Sequence, residues 1–560
     1  MAGRGTVNDT REGGRILVDN LVAQGVNMIF QVPGESFLPV LDALGEAPLR
    51  TITCRHESGA ANMAEAYGKL TGRPGVCIVT RGPGACHAAV GVHTARQDST
   101  PMVLLVGQVD RPLRGREAFQ EVDLHGLFGW TAKAVTEVDD AAALPDAIAE
   151  AWRMAMTGRP GPVVIGLPED MLTDRVSVAD AARVENDVVA ADAADVDAAL
   201  AALAGASRPL VIAGGSRWSQ ETNNALAAFA AAWALPVCVS FRRQDHLDNT
   251  HDSYAGDLSF APDPALSQAV READLILALG TRLGDLTTGG FESIAPPNPT
   301  QTLIHVFPDR DEMARNFTPD VAVIADPGAF LTSALKHTAP ATPTWRTWTD
   351  ERRAAYTATL DAVPCPGALD MNAVIAALRE RLELDDIITT DAGNFAQWVQ
   401  RFYPFRRHRT QIAPTGGAMG YGVPAGVAAG LIHPTRRVVT FAGDGGFMMT
   451  GNELATAAQY GVRTVFVVVN NGMFGTIRAH QERRYPARPH GTDLQNPDFT
   501  ALGQSFGLFA QRVARTDEIA AAFDAALAHD GPALIELILD AEAASTNASL
   551  TQIREKALAG

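Results

Sequence analysis

Residues 436–475 read RRVVTFAGDGGFMMTGNELATAAQYGVRTVFVVVNNGMFG, and few architectures accommodate that order of patterns. An apolar run at 438–441 gives way to the turn Gly443-Asp444-Gly445-Gly446 and then to helical periodicity over 447–460. A second apolar run at 464–469 ends on Asn470-Asn471. The spacing predicts one βαβ unit. Right-handed crossover lays its two strands side by side and parallel, so Asp444 and Asn471 leave the same carboxyl edge. A carboxylate, an amide oxygen and backbone carbonyls suit Mg²⁺, which binds few protein groups and completes its octahedron with phosphate oxygens. The glycines let backbone N–H groups approach a diphosphate at a helix N-terminus, where the dipole favours negative charge. A Gly-Asp-Gly alone is most often an ordinary turn. With the second strand and Asn-Asn behind it, the pattern predicts a metal-diphosphate site.

The same alternation runs along the whole chain. Residues 14–24 have helical spacing, 28–32 are extended, 36–44 are helical and 51–54 extended, with further strands at 103–106, 162–165, Pro209–Ala213, Leu275–Leu279, 437–441 and 464–469. The rhythm is that of parallel sheets wrapped by helices. It breaks near 183–195, which is rich in Asp, Ala and Val, and at the Pro/Thr-rich 337–343. We expect an α/β chain of three doubly wound parallel-sheet domains, at 1–182, 190–340 and 360–545, with ligands where glycine-rich loops leave the carboxyl ends of strands. At about 150 residues per domain, 560 residues allow three to four.

Composition narrows the function. A net charge of −18 disfavours nucleic-acid binding. Five cysteines, with no C-x-x-C pair, fit a reducing compartment better than a disulfide framework or a zinc site. No stretch of 18 apolar residues and no secretory pattern occurs, so the expectation is a cytoplasmic protein without a membrane span. A nicotinamide dehydrogenase would need a G-x-G-x-x-G turn between strand and helix, and the chain has none.

The Gly-Asp-Gly, 24 intervening residues and Asn-Asn resemble the signature of thiamine diphosphate-dependent enzymes. The whole chain resembles their acetolactate synthase and 2-oxo acid decarboxylase branch. The resemblance implies a pyrimidine-binding domain, a central domain and a diphosphate-binding domain in that order. It implies that Asp444, Asn471 and the carbonyl of Met473 hold Mg²⁺. Cofactor contacts would come from Asn394, Gly417, Met419, Gly443, Asp444, Gly445, Gly446, Phe447, Asn471, Met473, Phe474 and Gly475. Met419, in GGAMGYGVPAG, matches a bulky apolar prop that keeps the cofactor bent, and a prop is also a packing role.

Taken alone, Glu57 is explained as a carboxylate at a helix N-terminus. The pattern R-H-E-x-x-A-A-x-x-A-x-A-Y gives it a second reading, because the family glutamate in that place hydrogen-bonds the cofactor's pyrimidine ring. Its task would be proton management, through which the cofactor's C2 proton is removed. Glu35 in VPGES, Arg81 in TRGPG, and Phe119 and Gln120 in REAFQE would line the substrate side. Arg81 either binds a substrate carboxylate through two contacts or sits in a structural ion pair. His56 reads as an oriented core histidine rather than a catalyst.

The resemblance implies decarboxylation of a 2-oxo acid with ligation to a second carbonyl. The alternatives are simple decarboxylation to an aldehyde and an aldehyde or hydroxyketone lyase. Where the synthases carry a methionine, a valine and a tryptophan to shape the acceptor pocket, this chain has Thr476, Ile477 and His480. Leu286 stands where flavin-binding relatives have a second arginine, and DSYAGD (252–257) replaces their Gly-Met-His-Gly loop, so we expect no FAD or an inessential one. A non-catalytic relative would have lost the glutamate or a metal ligand, and Glu57, Asp444 and Asn471 are all present. Family sites form between subunits, which implies a homodimer or homotetramer. Glu57 and Asp444 would serve opposite ends of one cofactor.

Overall fold

The computed structural model describes residues 10–260 and 262–559. They form three six-stranded parallel sheets, each flanked by helices. The chain divides into two compact units that interleave in sequence. One holds residues up to Asp187 together with Gly416–Pro434 and Met448–Val462, and the other holds the remainder.

The first unit is built on β1 (Met28–Gln31), β2 (Arg50–Thr53), β3 (Gly75–Val79), β4 (Met102–Gln108), β5 (Ala134–Glu137) and β6 (Pro162–Pro168), in the order β2-β1-β3-β4-β6-β5. Strands β3, β4 and β6 are buried throughout, which is why they read as unbroken apolar runs. Ile29, Ile78, Leu105 and Ile165 share one core with Ile16, Leu17 and Trp152. Helix α1 (Glu57–Thr71) starts where the His56 imidazole accepts the Ser58 N–H and ends at Gly72 in the left-handed region. Helix α2 (Gly82–Asp98) follows β3 directly. Helix α3 (Gly422–Ile432) is apolar on every side, and its small residues let it pack closely against α1.

The second unit holds two sheets. The central one comprises β7 (Pro209–Ala213), β8 (Val237–Ser240), β9 (Tyr254–Leu258), β10 (Leu275–Leu279), β11 (Thr302–Phe307) and β12 (Val321–Ile324), ordered β9-β8-β7-β10-β11-β12. That is the 3-2-1-4-5-6 order of dinucleotide-binding sheets. The last sheet comprises β13 (Ile387–Thr390), β14 (Gln411–Ile412), β15 (Val438–Gly443), β16 (Thr464–Asn470), β17 (Phe509–Val513) and β18 (Ala533–Ile538), ordered β14-β13-β15-β16-β18-β17. Its order repeats that of the first sheet, strand for strand.

The expected βαβ unit is present, with β15 and β16 parallel and in register from Val438↔Thr464 to Gly443↔Val469. Its helix differs from expectation. Helix α4 (Asp444–Thr450) begins inside the expected glycine loop, and the expected helix over 447–460 is broken by a 3₁₀ turn at Gly451–Glu453 before Leu454–Gln459 resumes. The Thr450 backbone leaves the helical region there, at φ −139° and ψ 11°, and its hydroxyl donates to the Gly420 carbonyl at 2.9 Å, which diverts the chain at a poor helix former. Beyond β16, helix α5 (Gly475–Arg484) opens directly after the Asn470-Asn471 turn. Among the described residues no helix is long and apolar enough to cross a membrane.

Candidate active site

In a doubly wound sheet, ligands settle at the carboxyl ends of the two strands where the order reverses. In the last sheet those strands are β13 and β15, followed by Asn394 and Asp444 respectively. Asp444 is 2% exposed. One of its carboxylate oxygens accepts the Gly445 N–H at 2.9 Å, and the other accepts the Gly472 N–H at 2.9 Å and the Asn496 amide at 2.7 Å. Burial pushes its pKa up, and these donors oppose the shift. A buried carboxylate held in this way favours a cation beside it.

Asn471 leaves β16 next to this carboxylate, with its side-chain oxygen accepting the Met473 N–H at 3.3 Å. A Cβ on Gly475 would stand 2.8 Å from the Asn471 amide nitrogen and 3.0 Å from the Asn394 side-chain oxygen, so only glycine keeps this hollow open. Phe395 packs over Gly443 and Phe474 over Gly445 at distances that leave no room for side chains. Gly446 and Phe447 are buried, and Phe447 packs edge-on against Phe499. Asp444, Asn471, Met473, Asn394, Phe474 and Gly475 therefore converge on one hollow lined with hard oxygen atoms and backbone N–H groups. Such a donor set fits Mg²⁺ and a diphosphate.

In the first unit, Glu57 opens α1. The loop before it is clamped by Glu453, whose carboxylate accepts the N–H groups of Arg55 and His56 at 3.0 Å each and the Thr456 hydroxyl at 2.6 Å. Burial raises the pKa of Glu453. One Glu57 oxygen bonds His87 Nδ1 at 2.9 Å. Its other oxygen lies over Gly84 in the first turn of α2, so two helix N-termini face one carboxylate. His56 caps α1 through Nδ1, in keeping with an oriented histidine.

The loop holding Met419 is also supported on several sides. Gly417 has φ +69° with open space around it, so glycine is there for the backbone rather than for room. The Gly416 N–H reaches Asp98 at 3.3 Å, and the Tyr421 hydroxyl donates to Glu65 at 2.6 Å. Lys69 bridges Glu65 and Asp98, and all three charges are buried. Met419 itself is half-buried.

Glu35 and Arg81 flank the switch point of the first sheet, between β1 and β3. Of the two readings for Arg81, the structure shows the ion pair: it bonds Glu35 at 3.0 Å and also Glu169. Phe119 is 76% exposed. It stands on a loop folded around the Glu121 carboxylate, which takes the Gly115 and Ala118 N–H groups. Gln120 is left-handed at φ +64°, with its carbonyl accepting the Gly82 N–H at 2.8 Å.

The central sheet has its switch point between β7 and β10, followed by Gly214-Gly215 and Gly280-Thr281. The two loops approach so closely that a Cβ on Gly215 would meet the Gly280 carbonyl. Trp218 donates through Nε1 to the Gly214 carbonyl at 2.6 Å and stacks on His246 with ring centroids 4.5 Å apart. His246 in turn reaches the Gly215 carbonyl at 3.0 Å. Both rings are buried beside these loops.

Sequence reasoning missed Glu453, Asn496, His87 and the Trp218–His246 stack. Glu453 was hidden inside an apparently continuous helix, and Asn496 in an Asn-Pro turn that reads as loop. The Gly451-Asn452 pair just before it was the available signal for the first.

Comparison with known proteins finds a match in each of the three sheet regions. Residues 11–127 match the Thiamine pyrophosphate enzyme, N-terminal TPP binding domain; residues 196–334 the central domain; residues 391–537 the C-terminal TPP binding domain. The chain is 34% identical over 543 residues to the acetolactate synthase isozyme 2 large subunit of Escherichia coli (strain K12), covering 94% of this chain and 95% of that protein. It is 35% identical over 554 residues to the acetolactate synthase large subunit of Parasynechococcus marenigrum (strain WH8102), covering 94% and 87%. With the acetolactate synthase large subunit of Corynebacterium glutamicum the identity is 30%, covering 97% and 89%.

Proposed function

The chain belongs to the thiamine pyrophosphate enzymes, in the acetolactate synthase large-subunit family, and from that premise we propose that it decarboxylates a 2-oxo acid and ligates the retained fragment to a second carbonyl. The observation that carries the reading is the hollow made by Asp444, Asn471 and Gly475, on a chain that acetolactate synthases match almost end to end. When bound, thiamine diphosphate supplies an electron sink for the bonding electrons released as CO2 leaves.

The protein's own residues have the following parts. Asp444, Asn471 and the Met473 carbonyl would hold Mg²⁺, with Asn496 orienting the Asp444 carboxylate. Backbone N–H groups over 443–447, with Asn394, Phe474 and Gly475, would cradle the diphosphate. Gly417 and Met419 would support the cofactor from the loop anchored by Asp98 and Tyr421. Glu57 would hydrogen-bond the pyrimidine ring and exchange a proton at its carboxyl oxygens. Phe119 and Gln120 would line the substrate side, with the Glu35–Arg81 pair behind them. These parts assign pyrimidine, central and diphosphate roles to the domains at 1–182, 190–340 and 360–545.

We read the central domain as binding no FAD or an inessential one, a reading supported by Trp218 and His246 already bonding the Gly214 and Gly215 carbonyls. No step passes through a flavin. We read the working form as two or four copies with sites shared between subunits. The five cysteines are free thiols, which supports a cytoplasmic setting.

The test is a panel of 2-oxo acids with Mg²⁺ and thiamine diphosphate, following CO2 together with aldehyde and 2-hydroxyketone products. Hydroxyketone formation is expected, and CO2 with aldehyde alone would replace the reading with a simple decarboxylase. Glu57→Gln should lower turnover by about 10²–10⁴-fold at saturating cofactor while keeping the fold.

A further inference from the structure

The segment that leaves β8 reads Phe241-Arg242-Arg243-Gln244-Asp245-His246-Leu247-Asp248-Asn249. It takes six polar side chains out of water: Arg242, Arg243, Gln244, Asp245, His246 and Asn249 are each at most 8% exposed. Polar groups are kept inside only where bonds replace the lost water. The Gln244 N–H donates to Gln411 Oε1 at 2.8 Å, and Asp245 Oδ2 accepts the Arg409 N–H at 2.8 Å. Asn249 exchanges two bonds with the Phe405 backbone, giving its own N–H at 3.0 Å and accepting at Oδ1 at 2.9 Å. These residues clamp β14 and the chain before it, a stretch that carries no candidate cofactor contact.

Arg242 reaches further. Its guanidinium donates from Nη1 to the Pro414 carbonyl at 2.5 Å and from Nη2 to the Asp391 carbonyl at 3.2 Å. Asp391 is the first residue beyond β13, at the switch point, and opens the turn that carries Asn394. Asn394 in turn donates to the Ala544 carbonyl at 3.0 Å and keeps its side-chain oxygen beside Gly475. Pro414 lies on the segment that runs on to Gly417. A planar fork holds two carbonyls of separate loops at once, which the point charge of an ammonium does less well. The backbone is bent to allow it, for Arg242 stands at φ +57°, in the region that favours glycine. Buried residues in that conformation gather at functional sites, where the surrounding structure holds them. We infer that Arg242 is a positioning residue for the cofactor's diphosphate: from the central domain it fixes the turn that presents Asn394 to the hollow. It acts through the main chain of that turn and does not itself touch the phosphates. The inference rests on the proposed reading of the hollow as a Mg²⁺-diphosphate site.

The test uses the full-length chain and compares wild type with Arg242→Gly, Arg242→Lys, Asn249→Ala and Asp444→Asn. Glycine is the residue least strained at φ +57°, so Arg242→Gly removes the guanidinium without straining the backbone further. Calorimetry reads the binding of thiamine diphosphate with Mg²⁺, and urea unfolding reads stability on the same samples. Arg242→Gly should weaken cofactor binding by about 10–100-fold and Arg242→Lys by less. Asn249→Ala removes as many bonds from the same segment and should lower the urea midpoint while changing cofactor affinity by less than about twofold. Methylguanidinium added to Arg242→Gly should restore most of the lost affinity, and sodium chloride at equal ionic strength should not. With Asp444→Asn weakened, wild-type affinity in Arg242→Gly would overturn the inference, and so would a loss that methylguanidinium leaves unchanged or that Asn249→Ala matches. If Asp444→Asn itself binds the cofactor like wild type, the diphosphate reading of the hollow falls, and this inference with it.

Discussion

The central and last sheets both place glycines in the loops beyond the carboxyl ends of their strands and use them in opposite ways. In the last sheet Gly475 leaves space between Asn471 and Asn394, and polar atoms converge on that space. In the central sheet Gly215 and Gly280 let two loops close on each other, and Trp218 stacks on His246 beside them. The central sheet even has the strand order associated with dinucleotides. Topology therefore locates a crevice, while the side chains beside it decide whether anything can enter.

That contrast can be broken most forcefully at Trp218. Trp218→Ala removes the larger ring of the stack and should cost about 3–5 kcal/mol of stability, seen in urea unfolding, with thiamine diphosphate affinity unchanged. If the variant also took up FAD, with a flavin absorption band, the stack alone would separate the two sheets. Asp444→Asn is the counterpart in the last sheet. It keeps the side chain's shape but removes the charge, and it should weaken Mg²⁺-dependent cofactor binding by about 10²–10³-fold in calorimetry.

Acid sensitivity sharpens the contrast next. Burial pushes the His305 imidazole down to about 4 while its Nε2 donates to the Thr281 carbonyl at 2.8 Å, on the Gly280-Thr281 loop. The unfolded chain takes up this proton below pH ~6.5 and the folded chain only near pH ~4. Stability from this group is thus complete above pH ~6.5 and is lost as pH falls toward 4, by about 3 kcal/mol in all. Asp444 has the opposite sign, since its pKa is raised and its ionised form is disfavoured as pH rises through the carboxylate range. Unfolding midpoints between pH 4 and 7 should be flatter for His305→Gln than for wild type. The smallest effect is expected for Gly475→Ala, where one methyl group pressed against Asn471 and Asn394 should weaken cofactor binding by about tenfold and cost about 1–3 kcal/mol of stability.

Much of the last sheet was legible in sequence because its candidate ligands sit at the ends of apolar runs: Asp444 follows β15 and Asn471 follows β16, where period and spacing already speak. The helix between them was misjudged because apolar periodicity continues through Gly451, and only the Thr450 hydroxyl reaching Gly420 shows why the chain turns. Arg81 could be placed at a strand end, but its ion pair with Glu169 joins residues 88 positions apart, a distance no local pattern records. Glu453 and His87 were invisible for the same reason. Each acts on the Glu57 loop from another element, and neither stands in a motif with a chemical meaning of its own.

The interleaving of the two compact units bears on the protein's synthesis. The first unit needs Tyr421 to bond the buried Glu65 and Glu453 to clamp the Arg55 and His56 amides, yet these arrive long after its own sheet has left the ribosome. At roughly 5–20 residues per second the delay is on the order of tens of seconds. During that interval the nascent first sheet carries an unfinished face, with Glu65, Lys69 and Asp98 lacking the cover they have in the finished protein. Chaperone protection of ribosome-bound chains should therefore persist until residue 462 has emerged, rather than ending near residue 187.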